Sequence, residues 1–395
     1  MKRILLANKF YYPRGGDCTA VLTTEELLKA HGHEVAVFSM QHPNNISSPW
    51  EGYFPEEVSF SAPQLSGRLK AARRLFRPSD VVTKFERLLN DFRPHVVHLH
   101  NIHSYLSPAV AQVAARKGIR VVWTLHDYKP ICPAYSCLRN GKPCELCFTN
   151  RSGVLTRRCM KNSRAASLLA WMEALYWNRR KLERITDVFI TPSLFMKEKM
   201  IAAGFRPQQI ETLHNFMYRQ IPPPAGKGDY YCYVGRLSEE KGLETLLEAA
   251  IQLPYPLKII GDGPLFRSLS TRYPQAHIKF MGRMPSERLL PVVQRARFLV
   301  MPSIWYENNP YSIIEALCAG TPVLGARIGG IPELIEAGRN GDLFTSGDVE
   351  GLRNGIISAF RRFSASYPFG EIAASAQNKF NAETFYEQLM KLYDC

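Results

Sequence analysis

No stretch of this sequence approaches the roughly 18 consecutive apolar residues that a membrane-spanning helix needs. The start, Met1-Lys2-Arg3-Ile4-Leu5-Leu6-Ala7-Asn8-Lys9, carries too short an apolar run for a secretory signal. Together these absences predict a cytoplasmic protein. There is no fixed-period repeat and no low-complexity tract. Complete G-x-G-x-x-G and P-loop motifs are also missing, as is any Asp-x-Asp that would hold a divalent ion against a diphosphate. What is present is ordinary for a soluble globular chain: 395 residues, 46% hydrophobic and 22% charged, enough for two or three domains.

The net charge of +15 is unevenly spread. Residues 1–215 carry almost all of it, and residues 216–395 are close to neutral. Such asymmetry points to an anionic partner for one half, against the plain alternative of solvated cations that keep the protein in solution. One basic cluster is Arg68, Lys70, Arg73, Arg74 and Arg77. Arg157, Arg158, Lys161, Arg164, Arg179, Arg180, Lys181 and Arg184 form the other, interleaved with Leu168, Leu169, Trp171, Leu175, Tyr176 and Trp177. That mixture suits an amphipathic segment lying on an anionic membrane surface. Nucleic acid is not expected as a partner, because charge alone leaves the acidic and glycine-rich motifs below unexplained.

Short β-branched runs alternate with helix-length amphipathic segments, the pattern of βα units and parallel sheets. Strands are predicted at 3–8, 34–39, 95–100, 119–125, 187–191 and 210–214, then at 230–235, 257–261, 278–281, 298–301, 322–326 and 341–344. The fold class is therefore α/β, with two doubly wound Rossmann-like domains facing a cleft. Residues 1–215 form the first domain and 216–374 the second, with a C-terminal helix at about 375–395 packing back on the first. Ile221-Pro222-Pro223-Pro224-Ala225-Gly226-Lys227-Gly228 reads as the linker.

Three turns follow predicted strands. Gly15-Gly16 precedes a helix, where bare N–H groups can approach an anion, although a Gly-Gly pair also serves as a plain turn. Gly235-Arg236-Leu237-Ser238-Glu239-Glu240-Lys241-Gly242 brings two cations to a helix start. They fit a phosphate-sized anion, or a surface pairing with Glu239 or Glu240. Gly261-Asp262-Gly263-Pro264 is the third. Further on, Glu307-Asn308-Asn309-Pro310-Tyr311-Ser312-Ile313-Ile314-Glu315 places one carboxylate before a helix and another about two turns along it. Ionised carboxylates accept hydrogen bonds from vicinal sugar hydroxyls; capping and solvation are their structural alternatives.

In this order, and with Gly329-Gly330-Ile331-Pro332-Glu333, these motifs resemble the retaining glycosyltransferases of family 4, group 1, which have the GT-B fold. The resemblance covers essentially the whole chain. It implies that Arg236 and Lys241 hold the donor diphosphate beside Gly235 and Gly261, that Glu315 holds the ribose, and that Glu307 holds donor-sugar hydroxyls. Gly15-Gly16 would close over the phosphates, and the backbone around Arg283 and Met284 would read the base. Tyr311 falls within the donor-binding segment, and His126, at the end of a predicted strand, matches the family's active-site histidine, with a buried structural histidine as the alternative. One departure stands out: where the family usually has an aromatic residue and glycine, this chain has Asn309 and Pro310. Proline removes a backbone N–H, and Asn309 offers a side-chain amide in its place.

Cys132, Cys137, Cys144, Cys147 and Cys159 crowd together just after His126. A structural zinc on four of these thiols is one reading and unligated thiols the other; disulfides do not suit a reducing compartment. Catalysis is expected to need no cofactor, since two fixed cations do a metal's electrostatic work. The expected activity is transfer of a hexose-type sugar from a nucleotide-sugar donor to a hydroxyl acceptor, with retention. A lipid-linked glycan of bacterial envelope polysaccharide is the expected acceptor, and the inner face of the cell membrane the expected location. The alternative is a sugar-nucleotide 2-epimerase of similar architecture.

Overall fold

A computed structural model describes residues 1–60, 64–219, 221–222, 226–364 and 366–394. All twelve predicted strands are present, mostly trimmed by a residue or two at their ends. They form two six-stranded sheets in which every pairing is parallel. Parallel strands are covered on both faces, which is why runs such as Ile4-Leu5-Leu6 and Val121-Val122-Trp123 are apolar without alternation.

In the first unit the strand order across the sheet is Glu34–Phe38, Arg3–Ala7, Val96–Leu99, Arg120–Thr124, Val188–Thr191, Ile210–Thr212. This unit comprises residues up to His214, apart from 138–143, together with the described residues from Glu383 onward. The helix Ala382–Asp394 inserts Leu389 and Tyr393 into its core beside Ile4, Val96 and Val122. Arg120 Nε donates to the carbonyl of Leu392 at 2.9 Å, fastening the same helix to the sheet. Residues 375–379 belong instead to the helix Phe369–Lys379 of the second unit.

The second unit contains 138–143 and 215–382, and its sheet runs Ile278–Gly282, Leu257–Ile260, Tyr231–Val234, Leu299–Met301, Val323–Ala326, Gly341–Phe344. Counted along the chain this is the order 3-2-1-4-5-6 of a dinucleotide-binding sheet, whose direction reverses between Tyr231–Val234 and Leu299–Met301. The predicted linker behaves differently from a spacer. Pro223, Pro224 and Ala225 lie outside the described residues, but Ile221 is buried in the core of this unit. Lys227 Nζ donates to Gln294 O and to Thr321 Oγ1, each at 2.7 Å. Proline bars this segment from helix and central strand without barring its neighbours from burial. Among the described residues no helix is long and apolar enough to cross a membrane.

Candidate functional site

Ligands of open α/β sheets bind beyond the carboxyl ends of the strands, where the order reverses. In the second unit that place is occupied by the loops after Tyr231–Val234 and Leu299–Met301, and these carry Arg236, Lys241 and Glu307. The two loops touch closely. Ile304 N donates to Glu240 O at 3.0 Å, and Gly242, at φ +66°, leaves room where a Cβ would stand 2.0 Å from the Pro302 carbonyl. Gly261, at φ +136°, plays the same part against Gly235, since a Cβ there would lie 1.9 Å from the Gly235 oxygen. These approaches give the glycine-rich turns a packing reason independent of any ligand.

Close contact of the loops brings Lys241 Nζ to 2.6 Å from Glu307 Oε1, which also accepts from Ser303 Oγ at 2.6 Å. Burial alone would raise the Glu307 carboxyl; the ammonium and these hydrogen bonds outweigh it and hold the group below its ordinary range. Lys241 therefore pairs with Glu307 and with neither neighbouring glutamate. Arg236 is exposed, and its guanidinium has no partner among the described residues. Glu315, on the helix Tyr311–Cys318, contrasts with Glu307. It is half-buried with no side-chain partner among the described residues, and desolvation raises its pKa to about 7.

The remaining residues predicted for this side are distributed as follows. Gly330 N donates to the Glu307 carbonyl at 2.7 Å, so the Gly329-Gly330 turn braces the glutamate loop. Asn309 is buried, accepting from Asn215 N at 2.9 Å on its side-chain oxygen and from Asn215 Nδ2 at 2.7 Å on its carbonyl. The amide oxygen that replaces the family's usual residue thus ties this loop to Asn215, the first residue of the unit's long segment. Pro310 caps the helix that Tyr311 opens. Gly261 N donates to the Gly282 carbonyl at 2.9 Å, which sets the exposed Arg283 and the half-buried Met284 beside the third turn.

The first unit has its own reversal, between Arg3–Ala7 and Val96–Leu99. Asn101 N donates to Asn8 Oδ1 at 3.0 Å, and Asn101 Nδ2 to Asp17 Oδ2 at 2.9 Å. Asp17 is the second residue of the helix Gly16–Ala30, whose N-cap is Gly15, so this bridge anchors the Gly15-Gly16 turn over the strand ends. Nearby cations and hydrogen bonds keep Asp17 ionised despite burial. His126 lies one strand further along; its Nε2 is 3.0 Å from His100 Nδ1, and burial lowers its pKa to about 4. Asp17, Asn101 and His100 were not singled out from sequence. A buried polar residue just after each apolar strand was the available signal.

The cysteines do assemble. Cys132 lies beside Cys137 and Cys147, whose thiols lower its pKa while their own rise. Cys144 N donates to Cys137 O at 2.8 Å, and Cys159 Sγ lies 3.9 Å from Gly153 O. Among the described residues no group of three or more His, Cys, Asp or Glu side chains is placed so that it could hold a metal ion. On the surface of this unit, Leu168, Leu175 and Tyr176 of the helix Arg164–Tyr176 are exposed. Trp177, counted with them from sequence, is buried. Arg74 is buried as well and pairs with Asp80, so it does not belong to the exposed basic face. Arg179, Arg180, Arg184 and Arg206 converge on one surface hollow.

Residues 15–215 match the family model for the glycosyl transferase 4-like domain, and residues 216–364 match that for glycosyl transferases group 1. An uncharacterized 42.6 kDa protein in the cps region of Klebsiella pneumoniae is 27% identical over 411 residues, spanning 99% of each chain. The putative colanic acid biosynthesis glycosyltransferase WcaL of Salmonella typhimurium is 30% identical over 193 residues, 44% of this chain and 47% of that one. Among solved structures, Anabaena HepE in complex with UDP and glucose superposes with a TM-score of 0.66 at 18% identity, covering 99% of each chain. Nothing in these matches supports the epimerase alternative.

Proposed function

The chain belongs to the group 1 glycosyl transferases, and from that premise we propose that it transfers a hexose-type sugar from a nucleotide-sugar donor to a hydroxyl acceptor, retaining the anomeric configuration. The observation that carries this reading is the Lys241–Glu307 pair at the reversal of a dinucleotide-type sheet, with Arg236 unpartnered beside it. A buried carboxylate held ionised suits sugar hydroxyls, and two cations suit a leaving diphosphate. In the proposed reaction Arg236 and Lys241 stabilise the negative charge that develops on that leaving group. A phosphate oxygen of the leaving group then takes the acceptor's proton. Glu307 holds donor-sugar hydroxyls and Glu315 the ribose, while the backbone at Arg283 and Met284 meets the base. In the first unit the proposed roles are phosphate contact for Gly15-Gly16 and sugar contact for His126.

UDP and glucose in HepE, and the polysaccharide clusters of the bacterial relatives, support a nucleotide-sugar donor and an envelope-glycan acceptor. We propose that the acceptor is lipid-linked and that the exposed Leu168, Leu175 and Tyr176 with the surrounding arginines rest on the anionic inner face of the cell membrane. A structural zinc on four of the five cysteines is a separate proposal, supported by the proximity of Cys132, Cys137 and Cys147; binding would have to bring these thiols closer and draw in Cys144 or Cys159. The deciding experiment screens UDP-, GDP- and dTDP-sugars for thermal stabilisation and then for transfer, because a bound donor raises apparent stability by linkage. One nucleotide class is expected to stabilise the chain and support transfer with retention by NMR. Stabilisation by none of them, or an inverted product, would overturn the reading.

A further inference from the structure

His126 does not stand alone. Its Nε2 is 3.0 Å from His100 Nδ1, and the two rings lie within 17° of parallel with centroids 5.3 Å apart, as an in-plane N···N hydrogen bond requires. Exactly one proton occupies that contact while both rings are neutral. Burial lowers the pKa of both rings, that of His126 to about 4, so neither is a cation near neutral pH. The groups that act on the pair electrostatically include Lys9 and Asp17, from the loop and helix after the first strand, and His98 from the strand Val96–Leu99. His98 is itself engaged on both nitrogens, by Tyr393 OH at 2.7 Å and Thr124 Oγ1 at 2.8 Å.

The far nitrogen of His100 decides which ring donates. His100 Nε2 is enclosed and has no hydrogen-bond partner among the described residues. If His126 donated from Nε2, His100 would have to carry its own proton on that enclosed nitrogen, as an orphaned N–H. If His100 donates from Nδ1, only a lone pair is left enclosed. Orphaned buried N–H groups are the rarer and costlier of the two in native proteins. We infer that His100 is a positioning residue that holds His126 in its Nδ1–H tautomer, so that His126 meets its ligand as a hydrogen-bond donor and cannot serve as a base. The inference takes from the proposed function only that this ligand is the donor sugar; the tautomer stands without it. It also accounts for a reaction in which the leaving phosphate, rather than a histidine, receives the acceptor's proton.

The test is a long-range proton–nitrogen correlation spectrum of the full chain labelled with nitrogen-15 histidine, with the His126 signals identified by their loss in His126→Asn. The expected pattern is protonation at Nδ1, unchanged between about pH 5.5 and 8. Protonation at Nε2, or titration near 6.5, would overturn the inference. His100→Asn keeps an amide donor near the Nδ1 position and should preserve the tautomer, whereas His100→Leu should let His126 populate both forms; an unchanged spectrum in His100→Leu would show that His100 does not position it. Turnover supplies a second arm. Asn places a donor where Nδ1 stands, so His126→Asn should lie within about tenfold of wild type, while His126→Ala and His126→Gln fall about a hundredfold. Equal losses in all three would refute the donor role. A chain inactive with every nucleotide sugar but showing the Nδ1–H pattern would discard the proposed function and leave the tautomer standing.

Discussion

At the reversal of the second sheet a lysine and a carboxylate lie 2.6 Å apart, and at that of the first two neutral imidazoles lie 3.0 Å apart. Both pairs are buried at strand ends, so burial by itself does not decide whether a group keeps its charge. What decides is whether the loop delivers a counter-charge. Lys241 arrives because Gly242 lets its loop press on Pro302, and Glu307 stays ionised. His100 brings another imidazole, and Asp17 and Lys9 act on His126 in opposite directions, so burial prevails and His126 stays neutral. The second site is thereby suited to holding and stabilising charge, the first to directional hydrogen bonding.

Breaking the charged pair should have the largest effect. Lys241→Ala leaves a buried carboxylate without its cation, and we expect about a hundredfold loss of kcat/KM with a loss of stability of about 3 kcal/mol in denaturant titration. Glu307→Gln should lower transfer while sparing binding of the free nucleoside diphosphate, and the double variant should lose less than the two single losses combined, because the residues act as a unit. Arg236→Ala, with no partner to strand, should cost about tenfold in turnover and little stability. Wild-type turnover in Lys241→Ala would remove the electrostatic contrast between the two sites.

Smaller and opposite in sign are the pH dependences of the two sites. Glu315 titrates at about 7 when folded against 4.5 for an ordinary glutamate, so its contribution is complete below 4.5 and is lost as pH rises through 7. His126 titrates at about 4 against 6.5, so its contribution is complete above 6.5 and is lost as pH falls through 4. Melting temperatures measured from pH 4 to 8 should show Glu315→Gln removing a fall in stability with rising pH between about 4.5 and 7, and His126→Asn removing a rise between about 4 and 6.5. Slopes of the same sign removed by both variants would mean that the two sites are not electrostatically distinct.

The first unit's surface offers a milder test. Replacing the exposed Leu168 and Leu175 together with Ser should weaken flotation with anionic vesicles about tenfold and leave transfer to a water-soluble acceptor unchanged. Wild-type binding should weaken as salt rises; binding that ignores both salt and substitution would assign these residues to solubility alone. The smallest effect is expected from chelation. With Arg236 and Lys241 supplying the charge, EDTA should change turnover by less than about twofold, and any loss should appear first in the melting temperature, through the cysteine cluster. Immediate restoration by magnesium would show that the two cations do not clamp the diphosphate by themselves.

Much of this molecule was legible along the chain. Twelve strands, the glycine turns after three of them and the Glu307–Glu315 segment are local patterns, set by β-branched runs, by backbone freedom and by helical spacing. Their order was enough to place the chain in its family. Only the folded structure decided which charges meet. Lys241 chooses Glu307, 66 positions away, over the adjacent glutamates; Asn309 turns to Asn215, 94 positions away; His126 finds His100 across two strands. It likewise buried Trp177 and Arg74 and packed Ile221 of the expected linker into a core. The reason is physical: periodicity is written in neighbouring residues, whereas desolvation and pairing depend on groups that the sheet brings together from distant segments, and those two terms set the protonation state of every buried residue at both sites.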